Sequence, residues 1–252
     1  MLILQAPLFG LKHIIGILFV ILLFSSIALI YKKYKFLNDR KILIIFLIVF
    51  YILEIIKITY IMSISDWVYP IYQLQLQFCS LPLYLYPLMV IFKDFKFVDK
   101  FIKPAAYSLI MLAGLLALIM PVNIIGNSNS WLPLSDNILP IISFIYHGLM
   151  IFSSLWLLKS KYYNFNIKNY FNAMVVGLIY ATIGMIANVL LDQDYMLLNK
   201  GNGSPLQFII EISKPLYLLT MIGGFGFLVF IVFLVTNLVY NKNKKENLNF
   251  SI

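Results

Sequence analysis

The chain alternates between long apolar stretches and short polar connections along its whole length. Each stretch has about 20 residues, the length that a helix rising about 1.5 Å per residue needs to cross a hydrocarbon core of about 30 Å. The stretches are continuously apolar and lack the alternation of barrel strands, which favours helices. Helices are predicted at 12–31, 41–62, 74–92, 103–120, 138–158, 169–191 and 215–239. The predicted fold is all-α, a polytopic membrane helix bundle with about seven transmembrane helices.

Basic residues mark one end of this predicted bundle. They cluster in the connections after the first, third and fifth predicted helices and in the C-terminal tail. The clusters are Lys32, Lys33, Lys35, Arg40 and Lys41; Lys93, Lys96, Lys100 and Lys103; Lys159, Lys161 and Lys168; and Lys242, Lys244 and Lys245. With seven spans they all fall on one side of the membrane, which the positive-inside rule assigns to the cytoplasm.

The charge pattern therefore predicts a topology. The N-terminus lies outside and the C-terminus is cytoplasmic, in a multi-pass protein of the plasma (cytoplasmic) membrane. Residues 1–240 form a single seven-helix transmembrane domain, and residues 241–252 form a short polar cytoplasmic tail. The outer side receives the polar connections around Asp66, from 121 to 137 and from 192 to 214.

Composition excludes a water-soluble domain. Hydrophobic residues make up 62% of the chain and charged residues only 12%, and the mean hydropathy is +0.92. The formal net charge of +9 does not indicate a nucleic-acid partner, because the basic residues lie between apolar runs rather than on one amphipathic face. We expect membrane lipids as partners, no nucleic acid, no cofactor and no metal. The oligomeric state stays open.

A few polar side chains lie inside the predicted spans, where they are energetically costly and often mark function. They are Glu54 and Lys57 in the second helix, Gln73, Gln75, Gln77 and Cys79 in the third, His147 in the fifth and Asn188 in the sixth. Counted from the outer helix ends, all of them fall in the outer half of the bilayer. In the third helix Gln75, Cys79 and Pro82 share one face, and Pro82 predicts a kink with a free backbone acceptor at Phe78.

Cys79 and His147 are the candidate catalytic pair. A buried thiol is usually a small hydrophobic group, and a lone membrane histidine is often only a hydrogen-bonding group. A nucleophilic thiol in a low-dielectric site needs an adjacent base, and His147 is the only histidine at the right depth. His13 is predicted to lie at the membrane interface, at the outer end of the first helix.

The remaining polar residues have both structural and functional readings. Glu54 and Lys57 are spaced i, i+3, which predicts an internal ion pair, and a lipid headgroup site is the alternative. Asn188 is either an oxyanion donor or an interhelical hydrogen-bonding residue.

Several stretches of the chain resemble a known family. The stretch from Leu74 to Leu85 (LQLQFCSLPLYL), the stretch from Phe144 to Gly148 (FIYHG) and the stretch from Asn188 to Leu198 (NVLLDQDYMLL) look like the YwaF-type bacterial integral membrane proteins. The resemblance extends from the second to the seventh predicted helix. Eukaryotic relatives of that family are regarded as phospholipid acyltransferases with a cysteine nucleophile and a histidine partner.

Carried over by position, the resemblance implies that Cys79 is the nucleophile and His147 its partner. The family often has a histidine two residues before the cysteine, and this chain has Gln77 there. The sequence thus leads to a membrane-embedded acyltransferase or lipid hydrolase acting on glycerophospholipids. Substrate contacts are assigned to Gln75, Gln77, Asn188, Glu54 and Lys57. The alternative is a non-catalytic membrane protein that binds or transports a lipid or solute.

Overall fold

The computed structural model describes residues 10–34, 37–120, 138–201 and 206–249, and these residues form helices and connecting turns without a strand. The predicted outer connection 121–137 lies outside these ranges. The helices are α1 (Leu11–Tyr34), α2 (Asp39–Ser63), α3 (Pro82–Ile91), α4 (Lys103–Ile119), α5 (Leu139–Lys159), α6 (Tyr170–Leu191), α7 (Gln207–Ile212) and α8 (Lys214–Asn249).

Within these ranges six helices are long and apolar enough to cross a membrane, namely α1, α2, α4, α5, α6 and α8. The most enclosed of them is α4, with 72% of its most apolar window buried, whereas the corresponding value for α1 is 11%. The predicted all-α membrane bundle is therefore confirmed at the level of six long spans.

The third predicted helix, 74–92, is the main departure. The α-helix begins only at Pro82 and has 10 residues, which is about 15 Å at about 1.5 Å per residue and about half of the hydrocarbon thickness. It is preceded by two short 3₁₀ turns, Ile71–Gln73 and Phe78–Ser80. Proline lacks the backbone N–H and fits the first turn of a helix, so Pro82 starts α3 instead of kinking a longer helix.

Two details of the predicted third helix are consequently wrong. Gln75 precedes α3 and shares no helical face with Cys79 and Pro82. The carbonyl of Phe78 accepts a hydrogen bond from the backbone N–H of Leu81 at 3.4 Å, so it is not a free acceptor.

A close approach of α4 and α5 shapes the centre of the bundle. A Cβ atom at Gly114 would lie 2.8 Å from the carbonyl oxygen of His147, so only glycine allows the two backbones to come this near. Two turns further along α5, the hydroxyl of Ser154 donates to the carbonyl of Ala106 on α4 at 3.3 Å. Small residues thereby hold α5, the helix that carries His147, against the most buried helix.

The short helix α3 is fixed from two sides. The hydroxyl of Tyr86 donates to Ser153 on α5 at 2.6 Å, and its ring packs against Phe50 on α2 at a centroid distance of 5.6 Å.

Two predictions about the ends of the chain also changed. At the C-terminal end, α8 continues into the predicted polar tail as far as Asn249. His13, predicted to be interfacial, is buried, with its Nε2 2.6 Å from the carbonyl oxygen of Leu118.

Candidate functional site

The segment before α3 is irregular backbone that is half-buried from Gln75 to Cys79 and buried at Ser80. Such backbone is tolerated at membrane depth only where protein or an internal cavity surrounds it, because its polar groups need partners. Two tyrosines supply them: Tyr84 donates to the carbonyl of Gln75 at 2.7 Å, and Tyr180 donates to the carbonyls of Gln75 and Gln77 at 3.1 and 3.0 Å. Leu81, at the end of the segment, is 1% exposed. Cys79 is therefore held in a segment built by tertiary contacts.

A second irregular segment, from Asp192 to Leu198, is hydrogen-bonded to the first. The backbone N–H of Met196 donates to the side-chain oxygen of Gln77 at 2.9 Å, and the hydroxyl of Tyr195 donates to the carbonyl of Ile71 at 2.5 Å. Met196 and Leu197 have φ values of 55° and 59°, a left-handed conformation that is costly for residues other than glycine. Gln77 thus anchors a neighbouring turn through its side chain.

The side-chain amide of Asn188 bonds to the same turn through both its nitrogen and its oxygen. Its side-chain NH₂ donates to the carbonyl of Tyr195 at 3.0 Å, and its side-chain oxygen accepts from the backbone N–H of Tyr195 at 2.6 Å. Both ends of the amide are therefore engaged, and the residue ties the end of α6 to the turn that follows. Of the two readings of Asn188, the hydrogen-bonding one fits this geometry, although the bonds are local rather than interhelical.

Gln75 likewise serves the segment itself. Its side-chain NH₂ donates to the carbonyl of Gln73 at 3.0 Å, and its side-chain oxygen accepts from the hydroxyl of Ser80 at 3.2 Å. Gln75 and Gln77 therefore hold the backbone around Cys79 in place.

The predicted ion pair of α2 is present. The Nζ atom of Lys57 lies 2.5 Å from Oε1 of Glu54, and Glu54 is 6% exposed. These are the two charged residues whose electric field acts on Cys79. Cys79 itself is partly buried and lies two residues before Leu81, the residue that caps the N-terminus of α3.

His147 is held in one tautomer. Its Nδ1 lies 2.7 Å from the carbonyl oxygen of Ser143, one turn earlier in α5. Because a carbonyl only accepts, Nδ1 carries the proton and Nε2 presents its lone pair. His147 is 7% exposed, and within the described ranges Nε2 makes no hydrogen bond.

Cys79 and His147 are not hydrogen-bonded to each other in the described part of the chain. Lys57 is within electrostatic range of both residues. Tyr146, the residue before His147, is within electrostatic range of Cys79. The α5 sequence around His147 is therefore brought to the segment that carries the thiol.

Tyr146 is a site residue that the sequence analysis missed. It is 6% exposed, and its hydroxyl has no hydrogen-bond partner among the described residues. Its ring packs against Phe50 on α2 at a centroid distance of 5.0 Å. The available signal was a tyrosine next to the histidine that the sequence places deepest in the membrane, but spacing alone does not show whether a hydroxyl is paired.

An apolar groove lies beside this neighbourhood. Its cavity volume is about 70 Å³, and it lies between α6, α8 and the turn at Met196. Its lining includes Phe78, Met174, Gly177, Ala181, Met196 and Met221. Phe78 directly precedes Cys79, so the groove begins one residue from the thiol. It could not be predicted from sequence because its walls come from separate parts of the chain.

Among the described residues, no three His, Cys, Asp or Glu side chains are grouped so that they could hold a metal ion.

Comparison with known proteins gives a family but no close relative. The sequence model of the TMEM164 family matches residues 8–237. This match does not carry the YwaF-type name that the three sequence stretches suggested. No curated protein and no solved structure matches the chain.

Proposed function

The chain belongs to the TMEM164 family, and from this premise we propose that it is a membrane-embedded enzyme that transfers or hydrolyses an acyl chain of a glycerophospholipid. Cys79 is the nucleophile and His147 the base. The Glu54–Lys57 pair stands beside the thiol, and the groove at Phe78 receives the acyl chain.

The observation that carries the proposal is the fixed tautomer of His147. A membrane histidine with both ring nitrogens bonded would be a packing residue, whereas this ring is anchored through Nδ1 and keeps its Nε2 lone pair. A base in this state accepts a thiol proton, and a positioned base of this kind contributes about 10²–10⁴-fold to a reaction rate. The nearby thiol is partly buried and is the only one in the protein.

The reaction runs in two balanced halves. His147 Nε2 takes the proton of Cys79, and the sulfur forms a bond to the ester carbonyl carbon of the lipid. When the tetrahedral intermediate collapses, the carbon–oxygen ester bond breaks and the leaving lysophospholipid oxygen takes the proton from His147. The acyl group then sits on Cys79 as a thioester. The hydroxyl of a second lysolipid, or of water, attacks it in the same way and regenerates the thiol.

Gln77 has a positioning role in this scheme. The resembling family often has a histidine at this place, and Gln77 lacks a group that takes up a proton near neutral pH. Its side-chain oxygen instead accepts a hydrogen bond from the backbone N–H of Met196. This bond holds Met196, one of the residues that line the groove, in place. Gln75 and Asn188 are bonded within the fold in the same way and hold the segments around the thiol.

The proposed orientation places this site toward the outer leaflet. The basic clusters lie at the ends of α1, α3 and α5 and in the tail, so we place these on the cytoplasmic side of the plasma membrane. The chain then returns from Ser63 to the cytoplasm through the irregular segment and α3 together, which makes a seventh crossing. Access from the outer leaflet follows for the lipid substrate.

The test uses the single cysteine. Purified protein in proteoliposomes is incubated with a phospholipid of defined acyl chain, and its intact mass is measured before and after hydroxylamine. We expect a mass increase equal to one acyl group that hydroxylamine removes, absent in Cys79→Ala and strongly reduced in His147→Asn. Ser108→Ala is the matched control, because Ser108 is buried on α4 and bonds only within its own helix.

Wild-type acyl exchange by Cys79→Ala would overturn the enzymatic proposal. In that case the alternative of a protein that binds or transports a lipid or solute is tested by flux through proteoliposomes with Glu54 and Lys57 variants.

A further inference from the structure

An unpaired hydroxyl inside a membrane protein needs a reason. Leaving a buried polar group without a partner costs about 1–3 kcal/mol. Phenylalanine would fill the space of Tyr146 without that cost. In the described part of the bundle most other buried tyrosines are paired: Tyr86 donates to Ser153, and Tyr180 donates to two carbonyls. Tyr146 is the exception, and it lies next to His147.

The surroundings of the Tyr146 hydroxyl point to the reacting group. The buried hydroxyl of Tyr146 has no hydrogen-bond partner among the described residues. Its ring is held at a tilt of 72° to that of Phe50 on α2 and contacts the ring of His147 at 5.7 Å between centroids. Cys79 and Glu54 are both within electrostatic range of the phenol, so an unpaired donor is held beside the proposed base and within range of the thiol.

An acyl transfer through a thiol needs such a donor. Negative charge develops on the carbonyl oxygen when sulfur attacks, and a fixed donor in a low-dielectric site stabilises that charge strongly. Asn188 was a candidate for this role, but both ends of its amide are bonded to Tyr195. The backbone N–H of Leu81 is likewise bonded to Phe78.

We infer that the Tyr146 hydroxyl is the oxyanion donor of the site: it donates a hydrogen bond to the carbonyl oxygen of the lipid ester as Cys79 attacks. The proton stays on the phenol throughout, and no further reactant is needed. The inference rests on the proposed acyl transfer and adds a residue that contacts the substrate.

Because the Tyr146 hydroxyl has no hydrogen-bond partner among the described residues, its removal distinguishes a role in the reaction from a role in stability. Tyr146→Phe removes a hydroxyl that bonds to nothing in the described structure, so the thermal unfolding midpoint should stay the same or rise. The rate of thioester formation on Cys79 should fall about 10²–10³-fold, the usual cost of removing one oxyanion donor. Binding of a non-hydrolysable ether lipid should not change, because the interaction forms mainly in the transition state.

Tyr86→Phe is the matched control. It removes a buried hydroxyl from the same bundle, but one that bonds to Ser153, so it should lower the unfolding midpoint while thioester formation per folded molecule stays near wild type. The pair of variants therefore predicts opposite patterns of stability and rate.

The outcomes separate this inference from the proposed function. A Tyr146→Phe protein that forms the thioester at the wild-type rate, while Cys79→Ala forms none, overturns the role of Tyr146 and leaves the acyl transfer standing. A clear loss of stability in Tyr146→Phe also overturns it, because the hydroxyl would then serve the fold. Full acyl exchange in Cys79→Ala removes the proposed function itself.

Discussion

Nδ1 of His147 lies 2.7 Å from the carbonyl oxygen of Ser143, and this single hydrogen bond decides which ring nitrogen can act as a base. The acceptor belongs to the α5 backbone, so the tautomer is set by the helix and not by a neighbouring side chain. The hydroxyl of Ser143 is a weaker neighbour at 3.3 Å. Variants of His147 and Ser143 therefore distinguish the backbone carbonyl from the Ser143 hydroxyl as the group that holds the imidazole.

Replacement of His147 by asparagine should stop the chemistry and preserve the fold. The asparagine NH₂ can donate to the same carbonyl, but no atom replaces the Nε2 lone pair, so thioester formation should fall about 10²–10⁴-fold. Ser143→Ala should stay within about threefold of wild type, because the backbone acceptor remains. Burst kinetics of Cys79 acylation measure both. A deep loss in Ser143→Ala would show that the hydroxyl sets the tautomer.

Removal of the Asn188 side chain should act on stability. Asn188→Ala leaves the backbone N–H and carbonyl of Tyr195 unpaired in a buried turn, which we expect to lower the free energy of unfolding by about 2–4 kcal/mol. Thermal unfolding in detergent measures this. Acyl transfer per folded molecule should persist at low temperature. An unchanged unfolding midpoint with lost activity would instead make Asn188 the oxyanion donor.

The Glu54–Lys57 pair should tune the reactivity of the thiol. Lys57→Met removes the positive charge near Cys79 and should slow alkylation of the thiol by iodoacetamide, since the thiolate is the reacting form. Glu54→Gln leaves the positive charge uncompensated and should speed it up. Lys93→Met, on the exposed end of α3, is the control, with its weak partner Asp94 3.8 Å away. Equal alkylation rates in all three variants would contradict this electrostatic role.

The groove should set the preferred acyl chain length. Ala181→Phe fills part of the space between α6 and α8 and should shift the preference of the enzyme toward shorter chains, whereas Met221→Ala should admit bulkier ones. Gly223→Ala is the control, because a Cβ atom there meets nothing within 4 Å. Lipid profiling with mixed-chain phospholipids provides the measurement, and an unchanged chain profile in Ala181→Phe would place the acyl chain elsewhere.

The long membrane spans could be predicted from the sequence because each one is determined by the hydrophobicity of consecutive residues. A run of about 20 apolar residues must satisfy its backbone within itself in a bilayer, and a helix is the simplest solution. The same local logic found the i, i+3 pair of Glu54 and Lys57, which the structure contains. It failed at 74–81, where the hydroxyls of Tyr84 in α3 and Tyr180 in α6 bond to backbone carbonyls in place of helical hydrogen bonds.

The candidate site stays a prediction in its central part. Cys79 and His147 stood out as the single thiol and as the one imidazole predicted to lie deep in the membrane, and they are not hydrogen-bonded to each other in the part of the chain that the structure describes. The partners of Gln75, Gln77 and Asn188 could not be foreseen, because a side-chain amide looks the same in sequence whether it binds substrate or a nearby backbone. Tyr146 was missed for the converse reason, since only coordinates show an unpaired hydroxyl.

The sequence by itself determined that this protein is a helical membrane bundle and which few polar groups enter it, because transfer of each side chain into lipid is a property of that residue and its immediate neighbours. Only the tertiary structure decided where the third helix starts, which ring nitrogen of His147 is free and which polar groups are already satisfied. Some of those outcomes depend on hydrogen bonds between residues far apart in the chain, such as Tyr195 with Ile71. The bond of His147 to Ser143 is local, but the hydrophobic pattern does not show that the imidazole turns toward that carbonyl.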